Sequence, residues 1–321
     1  MDPVSHAVIG RAIAVAVAPR AQAGRGVAAA AILGALSLDI DLVLAPFGWD
    51  IYLRAHVIGT HTAVGALITG VACALLARAI VRGSSFRSLA GMAVLGAFSH
   101  LLADIASGGR LRLFWPMSNA IVSAPLVAMG DPYTIGILLG GAVVIRRSTT
   151  ARRSAQAVLL VLVLFLAVKG ALLQRVLSGA AATSRIDRAS RILQAQWGSL
   201  TAWIVFDRTE NELRQWRVTA GDDEPLLEMS LAETPESALV RRSRQLPAVR
   251  NFLAVHELGF AHEEVDPGGD AVMWSDIRYC WRDAVTQPVR CALWFGGLFD
   301  PAGRAVTQEV RVGAWIQRRL P

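Results

Sequence analysis

Long uninterrupted apolar runs fill the first half of the chain, whereas apolar and polar residues alternate in the second half. A helix needs about 20 apolar residues to cross the hydrocarbon core of a bilayer. Three runs without an acidic residue approach or reach that length, at residues 59–77, 88–103 and 155–177. They predict transmembrane helices.

Three further runs are less regular. Residues 27–44 and 120–145 are long enough to span, but the first carries Asp39 and Asp41 and the second carries Asp131. Residues 6–18 are short and include Arg11, which predicts a weak span or an interfacial or re-entrant helix.

The second half reads as a soluble α+β domain. Alternation of apolar and polar residues predicts antiparallel strands, and turns are expected at Gly221-Asp222 and Pro267-Gly268-Gly269. A helix is expected over 235–253, interrupted by Pro247. The predicted strands lie at 201–208, 213–219, 271–279, 289–295 and 306–315. The fold class is therefore a polytopic α-helical membrane domain (residues 1–180) followed by a soluble α+β domain with an antiparallel sheet (residues 189–321).

Composition supports this division. Up to residue 186 the chain contains no Glu and only one Lys, Lys169, whereas acidic residues are frequent afterwards. The basic excess, 32 Lys and Arg against 25 Asp and Glu, could indicate nucleic acid. Instead, the arginines of the first half cluster between apolar runs, as cytoplasmic loops of membrane proteins do, so membrane lipid and not nucleic acid is the expected partner. These clusters are Arg20/Arg25, Arg78/Arg82/Arg87 and Arg146/Arg147/Arg152/Arg153.

With the arginine clusters in the cytoplasm, four segments rich in His and Asp fall at the non-cytoplasmic ends of the helices. The predicted metal ligands are His6, Asp39, Asp41, His56, His61, His100 and Asp104, with Asp131 a weaker candidate. The last apolar run is expected to place the soluble domain on the same side of the membrane, although the arginines around residue 185 favour the cytoplasmic side.

The residue types and spacings suit a divalent cation. His100 and Asp104 are four apart and share one helical face. Carboxylates inside a bilayer, as at Asp39 and Asp41, need a partner or a cation, and imidazole is the commonest zinc ligand. Each signal alone could come from a buried hydrogen-bonded pair or a helix end, but together they predict one metal site, with zinc the expected ion and Asp41 the expected catalytic base.

Other candidate chemistry carries less weight. His256 and His262 are six apart, so they cannot form a zincin motif and are predicted to be solvated surface residues. Cys280 and Cys291 fit either a disulfide in an exported domain or two reduced thiols. The tryptophans of the second half fit either packing between strands or docking on lipid headgroups.

The first 130 residues or so resemble the inner-membrane metal-dependent hydrolase family typified by the YdjM-like proteins. The resemblance rests on an early His, an Asp-x-Asp pair, a His-x-x-x-Thr-His element and a Ser-His-x-x-x-Asp element, and the Trp274–Tyr279 stretch is similar to one in longer members. Leu38, Val57, Ile58 and Thr62 depart from the family pattern. The matching residues are His6, Asp39, Asp41, His56, Thr60, His61, Ser99, His100 and Asp104.

The resemblance implies an integral inner-membrane, metal-dependent hydrolase with distant kinship to zinc-dependent phospholipase C. Its expected substrate is a phosphoester or a lipid ester. Two alternatives remain: a membrane metal-binding or transport protein that uses the same ligands, and a structural anchor whose His and Asp pairs only join helices.

Overall fold

Nine α-helices and eleven strands occupy the part of the chain described by the computed structural model, which covers residues 1–18, 25–80, 84–182, 186, 192–222, 224–266, 269–282 and 289–320. The helices are α1 Pro3–Val17, α2 Arg25–Leu36, α3 Trp49–Ala55, α4 Ala63–Ile80, α5 Phe86–Ala106, α6 Pro132–Arg147, α7 Ala151–Ala182, α8 Ala238–Ser243 and α9 Pro247–Leu253. A 3-10 helix over Ser37–Leu44 continues α2, and a π-helical turn over His56–Thr60 continues α3.

Four helical stretches within the described ranges are long and apolar enough to cross a membrane: Arg25–Phe47, Ala63–Ile80, Phe86–Ala106 and Ala151–Gly179. They confirm four of the predicted spans; three have longer bounds, and the one predicted at 59–77 lies at Ala63–Ile80. The shorter apolar helix α1 packs against α2, α5, α6 and α7, so it lies within the bundle rather than on its surface.

The span expected at residues 120–145 is wrong. Residues 107–131 form an irregular loop, in which Leu111 and Val122 make an isolated β-bridge, and α6 begins only at Pro132. Asp131 caps this helix, since its side chain accepts a hydrogen bond from the Tyr133 amide at 3.3 Å. The missing element is explained by Pro125 and Gly130, which do not favour a continuous helix.

Small residues bring α2 and α5 into close contact. A Cβ atom on Gly34 would overlap the carbonyl oxygen of Ala93, and one on Gly96 would overlap the carbonyl oxygen of Ala31. Helices in lipid associate through such close backbone packing, because lipid and side chains are equally apolar. The close approach brings the end of α2 beside the end of α5, where the candidate ligands lie.

The soluble domain confirms the predicted α+β class with antiparallel sheets. Its strands are β1 Ile192–Ala195, β2 Ala202–Arg208, β3 Glu212–Thr219, β4 Leu226–Ala232, β5 Gly259–Asp266, β6 Gly269–Asp276, β7 Cys280–Trp281, β8 Arg290–Cys291, β9 Leu293–Phe299, β10 Ala305–Val312 and β11 Trp315–Arg319. They form a four-stranded sheet in the order β1-β2-β3-β4, a five-stranded sheet in the order β11-β10-β9-β6-β5, and the short pair β7-β8.

Several expectations about this domain need correction. The strand expected at 306–315 is a hairpin, because Gly313 turns the chain and places Trp315 in β11, antiparallel to β10. The strand expected at 289–295 is divided between β8 and β9. The turn at Gly221-Asp222 and the helix break at Pro247 are confirmed. Pro267 and Gly268, in the other predicted turn, lie outside the described residues.

The two histidines of this domain differ from each other. His262 is exposed, as predicted, but His256 is buried and its Nδ1–H donates to the Phe252 carbonyl oxygen at 3.0 Å. Burial lowers the pKa of His256 to about 4, so the ring is neutral near pH 7. The prediction of a solvated His256 is therefore wrong, because the chain after α9 folds this ring back onto the buried Phe252, with 4.3 Å between ring centroids.

Cysteine and tryptophan side chains support the domain in different ways. Cys280 and Cys291 are opposite each other in β7 and β8 and form a disulfide. Trp203, Trp216 and Trp274 are buried in the cores of the sheets, which agrees with packing between strands.

Candidate metal centre

Four of the predicted ligands converge at one point between α5, the 3-10 helix and the start of α4. His61 Nε2 lies 3.1 Å from His100 Nε2 and 3.3 Å from Asp104 Oδ2, and the last two atoms are also 3.1 Å apart. Asp39 Oδ1 completes the group, at 3.5 Å from His61 Nε2 and 3.6 Å from His100 Nε2. All of these atoms can donate a lone pair to a cation.

The distances fit a tetrahedral metal site. Ligand atoms that bind zinc at about 2.0–2.1 Å in a tetrahedron lie about 3.3 Å from one another. Five of the six distances among these ligand atoms of His61, His100, Asp104 and Asp39 range from 3.1 to 3.6 Å. These five spacings are close to those between the ligands of a first-row metal.

Hydrogen bonds on the far side of the rings fix the tautomers. His100 Nδ1–H donates to the Ala35 carbonyl oxygen at 2.7 Å, so its Nε2 carries the lone pair. His61 Nδ1 lies 3.0 Å from Thr60 Oγ1, whose hydroxyl in turn contacts Asp41. Such partners behind the ring orient histidine ligands in known metal sites. The Nε2 atoms of both rings are thus directed at the carboxylates of Asp39 and Asp104.

The electrostatics of the cluster also favour a cation. Burial lowers the pKa of His61, but its contacts with Asp104 and Asp39 raise the pKa by a larger amount, so that it is about 9. The carboxylates therefore draw a positive charge to this point, either a proton or a metal ion. The Met1 amino group also contacts Asp104.

His6 and His56 extend the cluster on either side. His6 stacks on the His100 ring with 3.6 Å between centroids, and its Nε2 lies 3.3 Å from Asp104 Oδ1 without hydrogen-bond geometry. Both ring nitrogens of His6 are buried without a hydrogen-bond partner. A buried imidazole with two unsatisfied nitrogens is unfavourable unless a ligand binds one of them.

Asp41 lies beside the cluster in a different position from Asp39. Residues two apart in a 3-10 helix point about 240° apart, so the two carboxylates diverge. Asp41 Oδ2 lies 3.0 Å from His56 Nδ1, whereas Asp41 Oδ1 is buried and has no hydrogen-bond partner. Asp41 therefore orients His56 through Oδ2, while its Oδ1 has no hydrogen-bond partner.

The described residues form three overlapping triads whose ligand atoms lie within 4.8 Å of one another. They are His6, Asp39 and His100; Asp39, His56 and His61; and His61, His100 and Asp104. Asp41 and Asp131 belong to none of these triads. The triads overlap, because each of Asp39, His61 and His100 belongs to two of them.

Two residues beyond the predicted set contribute to the centre. Thr60 connects His61 to Asp41, and the Ala35 carbonyl oxygen anchors His100. Thr60 could be found from the sequence by its position beside His61. The role of Ala35 depends on the contact between α2 and α5, which no local sequence signal reveals.

Comparison with protein families gives one match, in which the model of the YdjM inner membrane protein family covers residues 1–176. The comparisons with curated proteins and with solved structures find no match. The matched region contains all seven predicted ligands, three of the membrane-capable stretches and all but the last three residues of the fourth. With more than half of its length matched, this chain belongs to the YdjM inner membrane protein family.

Proposed function

We propose that the protein is a membrane-bound, metal-dependent hydrolase that acts on a phosphoester or a lipid ester. The observation that carries the proposal is the convergence of His61, His100, Asp104 and Asp39 with lone pairs directed at one point. Zinc suits this donor set of imidazoles and carboxylates. A divalent metal bound there would acidify water and polarise the scissile group.

The cluster is buried on most sides but open at Asp39 and His56. The Asp39 side chain is 35% exposed and that of His56 is 24% exposed, whereas those of His61 and His100 are fully buried. A catalytic metal site keeps a position open for water, and the side of the cluster at Asp39 and His56 is where water would reach the ion.

The surface around this opening is apolar. Ile40, Val43 and Phe47 are exposed on the segment that carries Asp39, and they belong to a membrane-capable stretch. Phe114 and Met117 are exposed on the loop after α5. This loop lies against the start of α4, because the Ala63 amide donates a hydrogen bond to the Leu113 carbonyl oxygen. These side chains face lipid, which supports a substrate that enters from the bilayer.

Asp41 has the features of a general base. Its Oδ1 is buried and free to accept a proton from water, while its Oδ2 is held by Thr60 and His56. The hydroxyl group of that water would add to the phosphorus or carbonyl carbon, and the leaving alcohol would take the proton back from Asp41 as its bond to that atom breaks. Thr60 contacts both Asp41 and His61, so protonation of Asp41 would affect the ligand His61 through a single hydroxyl group.

We place the cluster and the soluble domain on the non-cytoplasmic side of the inner membrane. Arg25, Arg78, Arg87, Arg146 and Arg153 lie at the opposite ends of the helices from the cluster, in keeping with a cytoplasmic location. The Cys280–Cys291 disulfide suits an oxidising compartment.

Labelling of single cysteines in intact cells tests this orientation. In a Cys73→Ala background, Ser118→Cys and Ala302→Cys are expected to react with an impermeant thiol reagent, and Ser84→Cys only after the cells are opened. The native Cys280 and Cys291 do not react while they remain in their disulfide. Protection of Ala302→Cys in intact cells would contradict the proposed orientation.

Turnover of the zinc-loaded protein in nanodiscs tests the activity. Wild type is expected to hydrolyse at least one class among phospholipids, soluble phosphodiesters and carboxyl esters, and Asp41→Asn, His61→Ala and Asp104→Ala are expected to lose that turnover. Normal turnover in correctly inserted variants would show that the cluster is not catalytic. A zinc-loaded wild type that cleaves no class would favour metal binding or transport instead.

A further inference from the structure

The segment formed by residues 45–55 joins the two ligand-bearing parts of the first half. It follows Asp39 and Asp41 in the 3-10 helix and precedes His56 and His61. Its only regular element is α3, which has seven residues. An isolated helix of that length is unstable in water, so α3 must take its stability from what it packs against.

The soluble domain supplies the packing partners of α3. Trp49 and Leu53 pack against the core cluster that contains Val249, Phe252 and Phe295. The Trp49 ring also makes an edge contact with Trp315 of β11, with 6.1 Å between centroids. The apolar face of α3 is thus buried by α9 and by the last strand of the chain.

A polar network joins the same elements. The Asp50 carboxylate is buried, and its Oδ1 accepts a hydrogen bond from the Arg319 guanidinium while its Oδ2 accepts one from Asn251 Nδ2 at 2.9 Å. Asn251 Oδ1 in turn accepts a hydrogen bond from Arg54 Nη1 at 2.9 Å. Asp50 and Arg54 lie on α3, so Asn251 holds both ends of this short helix.

Side chains at the end of β11 also donate hydrogen bonds to the backbone before α3. Gln317 Nε2 donates to the Pro46 carbonyl oxygen at 3.0 Å, and Arg319 Nη1 donates to the Phe47 carbonyl oxygen at 3.2 Å. These bonds, with those to Asp50, fix the segment between the 3-10 helix and His56 from outside the membrane domain.

We propose that Arg319 and Asn251 of the soluble domain position the ligand His56 by holding Asp50, so that a metal ion in the Asp39–His56–His61 triad requires the docked soluble domain. This inference rests on the proposed function, in which His56 is a ligand. Removal of one partner leaves a buried charge uncompensated, which is strongly unfavourable. The short α3 then loses its anchor, whereas His100 and Asp104 keep their positions on the long α5.

Zinc competition titration of the full-length protein in detergent tests the proposal. Arg319→Ala and Asp50→Asn are each expected to weaken zinc binding by about tenfold or more, the lower end of the loss seen when residues behind metal ligands are changed. Their titration curves are expected to resemble that of His56→Ala and to differ from that of His100→Ala. A general loss of stability would instead weaken the binding of every ion by the same factor.

Two further variants sharpen the test. Arg318→Ala removes the neighbouring arginine, which pairs with Glu309 within the soluble domain, and is expected to bind zinc as wild type does. The double variant Asp50→Asn/Arg319→Ala is expected to lose less affinity than the two single losses combined, because the two residues share the Asp50–Arg319 contact.

The outcomes separate the two proposals. If wild type binds no zinc, the proposed function fails. If wild type binds zinc and Arg319→Ala binds it with equal affinity and stoichiometry, the positioning role is refuted while the metal centre stands. An equal loss in Arg318→Ala would also refute it, since the effect would then come from the stability of the soluble domain.

Discussion

Replacement of His100 with alanine is expected to remove the metal from the centre. His100 belongs to two of the three triads, and its Nε2 lies within 3.6 Å of His61 Nε2, Asp104 Oδ2 and Asp39 Oδ1. Changing a residue that orients a metal ligand lowers metal affinity by roughly 10–100-fold, and loss of the ligand itself should lower it by more. We therefore expect zinc affinity to fall by more than about a hundredfold and turnover to fall with it.

The exposed His262 supplies the matched control for this change. His262→Ala removes an exposed imidazole from β5 that contacts none of the candidate ligands, and it should alter neither zinc content nor turnover. Elemental analysis of both variants after identical chelator-free purification measures the difference. A His100→Ala protein that retains wild-type zinc content would show that the convergence of side chains is not a metal site.

Replacement of Gly96 with leucine is expected to separate α2 from α5 and to damage the centre indirectly. A side chain at this position meets the Ala31 carbonyl oxygen, which is backbone and cannot move aside. Overpacking costs about 1–3 kcal/mol even where side chains can adjust, so we expect about 3 kcal/mol or more here. The displaced α2 would also withdraw the Ala35 carbonyl oxygen from His100 Nδ1.

Gly91, on the same helix, gives the control. A Cβ atom at Gly91 has no neighbour within 4 Å, so Gly91→Leu should insert and bind zinc as wild type does. Thermal unfolding in detergent and zinc affinity are measured for both variants. Equal stability and equal zinc affinity would contradict the close contact between α2 and α5.

The features that could be predicted from the sequence are those governed by local spacing. Apolar length identified the four spans, because the thickness of the bilayer fixes the length of a helix. The four-residue spacing of His100 and Asp104 predicted a shared face, and their ligand atoms lie 3.1 Å apart. Alternation of apolar and polar residues likewise predicted β2 and β3 to within one residue.

The features that could not be predicted depend on contacts between distant segments. The apolar residues 120–131 read as part of a helix, but the loop obtains its backbone hydrogen bonds from residues 105–111. His256 reads as a surface residue because its burial depends on packing of α9 against a sheet.

Asp39 and Asp41 show the same limit within the centre. The sequence places them two apart and cannot tell a 3-10 helix from an α-helix, yet that difference decides which carboxylate meets His100 and which meets His56. The contact of Asp50 with Arg319 joins residues 269 positions apart, so no pattern along the chain could indicate it.

The most direct test of the account is the transition-metal content of the full-length wild-type protein, purified without chelator and reconstituted with zinc. The account predicts at least one tightly held ion per chain, because the ligand atoms of Asp39, Asp104 and four imidazoles form three overlapping triads and both nitrogens of His6 are buried without a partner. A protein that is folded in the membrane and holds no metal after reconstitution would contradict the account.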